Sequence, residues 1–209
     1  MRYKDYSKQL VNILQGQVYF ENLLITKLET ENILNSDFLS QNDEKFIIAT
    51  NIKNAWKFIF ETYDLDITPA YILQLHKILM KDLDFNYGNF RNINVNVTGS
   101  KYKPPLLIKN QYYELLEDNI ENIKDIYSLP LLIAREQFFN DGNKRTATML
   151  IQKELLKMGK IFNLDLDVCK PYRRALLKYY EELDDSYFKE VIDDNTIKLK
   201  RNKTYEYQR

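Results

Sequence analysis

Gln137-Phe138-Phe139-Asn140-Asp141-Gly142-Asn143-Lys144-Arg145-Thr146-Ala147-Thr148 joins two helical patterns through a glycine turn. A helical apolar pattern ends at about Phe139, gives way to a tight Asn-Asp-Gly turn, and resumes at Asn143. A helix that starts this way leaves its first amides without intrahelical acceptors and points the positive end of its dipole outward. That is an anion site. Gly142 lets the backbone come close to a ligand, and Lys144 and Arg145 add charge in a first turn that normally disfavours cations. Asp141 could hold a divalent metal bridging phosphates. Taken alone, the same residues read equally well as an ordinary glycine turn beside an aspartate, so the flanking sequence has to decide.

On both sides of this turn helical periodicity dominates. Helices are predicted over residues 6–35 with a break or bend at Gly16, over 43–63, and from Thr68-Pro69 through Ile72, Leu75 and Leu79. Others should cover 108–126, 131–139 and 143–158, with Gly159 as a C-cap, and then 171–183 and 185–193. Between Phe90 and Pro105 the pattern changes to period two (Ile93, Val95, Val97), followed by Thr98-Gly99-Ser100 and Lys101-Tyr102-Lys103. This predicts one β-hairpin lying on the helices. The fold class is therefore mainly α, a helical bundle carrying one hairpin.

Composition narrows the function. The chain is 209 residues long, 44% hydrophobic and 29% charged, enough for a full core in one domain. Its 30 basic and 30 acidic residues cancel, which argues against general binding to nucleic acid or an anionic membrane. Lys198, Lys200, Arg201 and Lys203 read as a solvated basic end. Cys169 is the only cysteine, so no internal disulfide can form. No apolar run reaches the roughly 18 residues a membrane span needs, and no signal-like stretch follows Met1. A cytoplasmic protein is the expectation.

Gln137-to-Thr148 resembles the signature of the Fic (Fido) family, HxFxDGNGRxxR, or GNKR in the branch that includes Doc. Further blocks are similar to that family in the same order: Leu75-His76-Lys77-Ile78-Leu79, Gly88-Asn89-Phe90-Arg91, Val95, Val97, Gly99-Ser100, Pro104-Pro105, and Tyr172-Arg173-Arg174-Ala175-Leu176. The resemblance implies a Fic-like bundle with a flap hairpin over the active-site loop. It divides the chain into an amino-terminal helical segment (1–40), a core domain (41–195) and a basic tail (196–209). It also implies a transferase that uses ATP with Mg and moves AMP onto a hydroxyl of a target protein. Asp141 would hold the metal and Asn143 would contact phosphate. Gly142 and the amides of Asn143 and Lys144 would line the anion hole, with Arg145 on the outer phosphates. Ile93, Val95, Val97, Gly99 and Ser100 of the flap would dock the target by strand addition. The resemblance leaves formation of a homodimer open.

Three departures bear on activity. Gln137 stands where the family has its catalytic histidine, and an amide cannot act as general base. A natural loss and a deliberate inactivation both fit. Glu136 is rotated about 100° round the helix from that position and is no replacement; His76, the only histidine, is read as structural. Lys144 stands in place of a glycine, as in Doc-like members that transfer the γ-phosphoryl group. Thr148 stands where AMP-transferring members have a second arginine. Glu21 to Asn32 resembles the family's inhibitory helix, with Glu29 as the regulatory carboxylate, paired with Arg145 or Lys144; an exposed helix glutamate is an equally good reading. A weak or idle AMP transferase, a Doc-like kinase and a nucleotide- or protein-binding regulator all remain open.

Overall fold

Helical periodicity is realised almost throughout residues 3–35 and 43–199, which the computed structural model describes. A 3-10 turn at Tyr3–Asp5 leads into α1 (Ser7–Phe20), α2 (Lys27–Asn35), α3 (Glu44–Thr62), α4 (Pro69–Leu79), α5 (Lys109–Glu121), α6 (Ser128–Glu136) and α7 (Asn143–Lys157). Then follow β1 (Lys160–Phe162), α8 (Cys169–Glu182), α9 (Ser186–Asp194) and β2 (Thr196–Lys198). Helix starts fall where the sequence places its caps. The Asp43 carboxylate accepts from the Lys45 amide, and the Thr68 hydroxyl accepts from the Tyr71 amide at 3.1 Å, with Pro69 in the first turn.

Two apolar cores meet along α6 and α7. One gathers Leu10, Ile13, Trp56, Phe60, Ile72 and Tyr112 from α1, α3, α4 and α5. The other gathers Phe162, Tyr172, Leu176, Phe188 and Ile192 from β1, α8 and α9. Helix α7 gives Met149 and Leu150 to the first core and Ala147 and Ile151 to the second. Being covered on both sides, it buries even Gln152 and Lys153 completely, and buried polar groups need partners. Gln152 pairs with both backbone groups of Phe162, and Lys153 donates to the carbonyls of Tyr63 and Leu65 beyond the end of α3. The helix that opens at Asn143 is thereby held along its whole length.

The structure departs from the sequence pattern in three places. Gly16 lies inside α1 rather than at a bend: a Cβ there would sit 2.0 Å from the Leu164 carbonyl oxygen, so the absent side chain makes room for the 164–165 crossing. The break comes later, at Asn22, whose φ is 64°. The 90–105 segment is extended but forms no ladder among the described residues. Its tip turns through a single backbone bond, Ser100 N to Val97 O at 3.1 Å. The second arm offers Tyr102 as its only large apolar side chain, too few cross-strand partners to hold a hairpin by itself. Finally, Thr196–Lys198 pairs antiparallel with Lys160–Phe162, Ile197 opposite Ile161, so residues 196–198 are joined to the bundle by a ladder. Strands this short show no period in sequence. Lys200, Arg201 and Lys203 lie outside the described residues. No described helix is long and apolar enough to cross a membrane.

Candidate active site

Helix α6 stops at Glu136 because Gln137 turns left-handed, with φ 50° and ψ 67°. Five residues later Gly142, at φ 78°, opens α7. Its close approach is to protein: a Cβ would lie 2.5 Å from Met80 Sδ and 3.3 Å from His76 Cδ2. His76 pins the same turn. The Gly88 amide donates to its Nδ1 at 3.0 Å, which leaves Nε2–H to donate to the Asp141 carbonyl at 3.0 Å. The ring stacks on Phe139 with centroids 3.7 Å apart. Burial holds its pKa down at about 4, so the imidazole is neutral, and both of its nitrogens are committed to holding the loop.

At the start of α7, the first amide with a backbone acceptor is that of Thr146, bonded to Gly142 O at 2.9 Å. Among the described residues the N–H groups of Asn143, Lys144 and Arg145 have none. These are the free donors that a helix start leaves. The Asn143 side chain does not join them. Its Nδ2 donates to Phe139 O at 2.8 Å and to Gln137 Oε1 at 2.9 Å, and its Oδ1 accepts from Phe139 N. The Asn143 side chain is spent on closing the loop and is not free for the phosphate contact expected of it. Gln137 is held at both ends, its Nε2 donating to Ala134 O.

Arg145 is turned inward and only 7% exposed, so it does not reach toward outer phosphates. Its Nη2 donates to the Asp141 carboxylate at 2.8 Å, its Nε lies 3.5 Å from Glu21 Oε1 at ion-pair range, and its Nη1 has no acceptor. Asp141 itself is 68% exposed. The carboxylate facing Arg145 is thus Glu21, at the end of α1, and not Glu29. Glu29 caps its own helix, accepting from Thr26 N at 2.7 Å while its amide takes the Thr26 hydroxyl, and it pairs with Lys45 at 3.0 Å. These bonds, the Thr26 amide first, lower its pKa to about 2. Thr26-Lys27-Leu28-Glu29 is a capping box in sequence, the signal that places the Glu29 carboxylate at its own helix start and not against Arg145. Thr148 is buried, bonded to Lys144 O at 2.8 Å and to the Tyr172 hydroxyl at 3.0 Å.

The flap is fastened at its base by Arg91, which sequence reasoning misses as a site member. Only 2% exposed, it donates from Nε to Gln137 O at 2.6 Å, from Nη1 to Ile93 O, and from Nη2 to the carbonyls of Pro104 and Pro105. Its amide donates to Phe138 O. One guanidinium therefore joins both arms of the ribbon to the Gln137 turn. At the tip, Glu181 of α8 accepts from the Ser100 hydroxyl and from the Lys101 amide at 2.6 Å, while Gly99 packs on Leu177. Tyr102 donates to Glu136, which Arg135 also holds, so Glu136 faces the flap and not the loop. Ile93 stands exposed, Val95 and Val97 are half-buried, and the backbone groups of 94–96 have no partners among the described residues.

Residues 66–155 match the family model of the Fic/DOC family. No curated protein matches the chain. Among solved structures it resembles a Fic-1 fragment from C. elegans (TM-score 0.71, 16% identity, covering 90% of this chain and 60% of that one). A Fic family protein from Desulfovibrio desulfuricans G20 is similar at TM-score 0.68 and 15% identity, over 92% of this chain and 64% of that one. BepC, a VirB-translocated effector of Bartonella tribocorum with bound AMPPNP, is similar at TM-score 0.54 and 13% identity, over 76% and 90% of the two chains. The chain spans about three-fifths of the nematode fragment's length. Over residues 66–155 this chain is similar to the Fic/DOC family, and over nine-tenths of its length it has the fold of Fic domains.

Proposed function

We propose that the chain binds ATP at the start of α7 and transfers AMP to a protein hydroxyl held along the flap, slowly because of Gln137. The observation that carries this reading is the row of unpaired amides at Asn143, Lys144 and Arg145, beside the exposed Asp141 carboxylate. The residues fit a nucleotide's phosphates: donors at a helix N-terminus, cations in the first turn, and a carboxylate placed for Mg. No group of three or more His, Cys, Asp or Glu that could hold a metal exists among the described residues. Mg would therefore arrive with the phosphates, held by Asp141 and phosphate oxygens, where it would neutralise charge. The AMPPNP bound to BepC is the kind of ligand such a cradle takes.

In the reaction, a target hydroxyl attacks the α-phosphorus, the bond to the β-phosphate oxygen breaks, and diphosphate departs on the cradle. With no base at 137, the hydroxyl proton passes to solvent water. The Gln137 amide is no base, and its oxygen is already occupied by Asn143. The missing general base should cost about 10²–10⁴ in rate. The open backbone of 94–96 would align the target as an added strand. Glu21, facing Arg145, is the carboxylate we propose restrains nucleotide binding. Glu21→Gly should tighten ATP binding in a titration, and unchanged affinity would remove that part of the reading.

Lys144, an ammonium in the first turn of the cradle, supports a second reading in which the γ-phosphoryl group is transferred instead. Incubating Gln137→His and the parent chain with α- and γ-labelled ATP separates the two. Label from the α-phosphate on protein, strong with the Gln137→His variant and faint with the parent, is the expected result. γ-Label alone turns the reading to phosphate transfer, and ATP binding without either label turns it to a binding domain. Absence of ATP binding ends it.

A further inference from the structure

We propose that Arg173 of α8, together with Lys144, grips the terminal phosphate of the bound nucleotide, supplying the cation that Thr148 lacks. This rests on the nucleotide reading above and adds to the site a residue from outside the loop.

The charges around the cradle are not equally available. Arg145 is taken by Asp141 and Glu21. Two cations remain with no carboxylate partner among the described residues. The Lys144 ammonium lies 5.4 Å from the centroid of the Phe20 ring, and the Arg173 guanidinium lies 5.2 Å from the same centroid. Phe20 is almost fully buried at the end of α1, so one fixed ring gathers a charge from α7 and a charge from α8. Arg173 is further oriented by Nη1 donating to Asn22 Oδ1 at 2.8 Å and by Nη2 donating to Phe20 O. The preceding residue, Tyr172, bonds Thr148 at 3.0 Å, which sets this turn of α8 against the first turns of α7. Position 148 cannot serve in their place, since its hydroxyl is buried and doubly used.

Lys144 lies in the turn with the free amides and Arg173 shares the Phe20 ring with it, so two half-buried cations without carboxylates make an unfinished anion site. The buried, unpartnered Nη1 of Arg145 adds an independent sign of a missing acceptor. The amides suit a phosphate near the nucleoside, and the Phe20-mounted cations suit a phosphate farther along the chain. The ligand class is a nucleoside triphosphate or diphosphate, distinguished from a monophosphate by this pair.

The test is calorimetric titration of the full chain with ATP, ADP and AMP in the presence of Mg. Arg173→Gln should weaken ATP binding about tenfold, the range of one charge-assisted hydrogen bond, and leave AMP affinity within about twofold. Arg173→Lys should recover most of the ATP affinity by keeping the charge. Equal losses for ATP and AMP, with a lowered melting temperature, would mean that Arg173 only ties α8 to α1, and the proposal falls. Unchanged ATP affinity in folded Arg173→Gln overturns the proposal and leaves the cradle intact. No binding of any nucleotide by the parent chain overturns both. Should Arg173→Gln fail to fold, Lys144→Gln decides on the half-exposed partner: a fall in the ATP-to-AMP affinity ratio supports the pair, and an unchanged ratio overturns it.

Discussion

A methyl group at position 142 would meet Met80 Sδ at 2.5 Å on a backbone whose φ of 78° already disfavours any side chain. Strain and clash act together there, so Gly142→Ala should destabilise the fold by about 1–3 kcal/mol. Denaturant unfolding measures the loss, and nucleotide titration should show weakened binding beside it. A variant as stable as the parent would mean that Met80 yields and that the turn is not set by this contact. At this scale the sequence tells residue types well and side-chain directions poorly. Gly142 and the free amides follow from a turn feeding a helix, whatever lies around them. That Asn143 turns inward, and that Glu21 rather than Glu29 meets Arg145, depends on where α1 ends. That end is set by Asn22 and by the crossing over Gly16, contacts between residues more than a hundred positions apart.

The flap is the element whose form was least legible, because alternation in residues 92–97 reads as a ladder, whereas the ribbon is held from outside. Arg91 does at the base what cross-strand bonds would do in a hairpin. Arg91→Met would leave the carbonyls of Gln137, Ile93, Pro104 and Pro105 without their donor, costing about 3 kcal/mol. Chemical unfolding checks that figure, and a neutral result would show the ribbon to be held by Phe90 packing instead. At the tip, Glu181 is the latch, and its pKa is lowered chiefly by the Ser100 hydroxyl. Glu181→Ala should speed hydrogen exchange at the Lys101 and Tyr102 amides while the melting temperature stays unchanged. If exchange at the tip does not change, Leu177 against Gly99 is the real clasp. The sequence marks Arg91 only as the end of the Gly88–Arg91 block; its many carbonyl partners in space reveal what it does.

Across the whole molecule, α6 and α7 were legible because each carries apolar residues for two cores, and their joint between Gln137 and Gly142 is therefore fixed from both sides. His76 connects that joint to α4 and to the Gly88 turn, and it makes stability depend on pH in a window of its own. Its pKa is near 4 when folded, from burial, against an ordinary 6.5 when exposed. Between those values the unfolded chain binds a proton that the folded chain refuses, so stability rises with pH across the window. The contribution is complete above about pH 6.5 and is lost as pH falls toward 4, amounting to roughly 3 kcal/mol. Glu29, lowered to about 2, has its effect only below its ordinary 4.5, so the two ranges barely overlap. As the only histidine in the chain, His76 has no rival for the upper range. Urea unfolding at pH 7 and pH 4.5 should differ by most of that amount in the parent protein. His76→Gln should be less stable at pH 7, having lost the stack on Phe139, yet nearly flat between the two pH values. A parent that is equally stable at both would mean that Nδ1 accepts its proton in place, releasing the Gly88 amide while Nε2–H still donates to the Asp141 carbonyl.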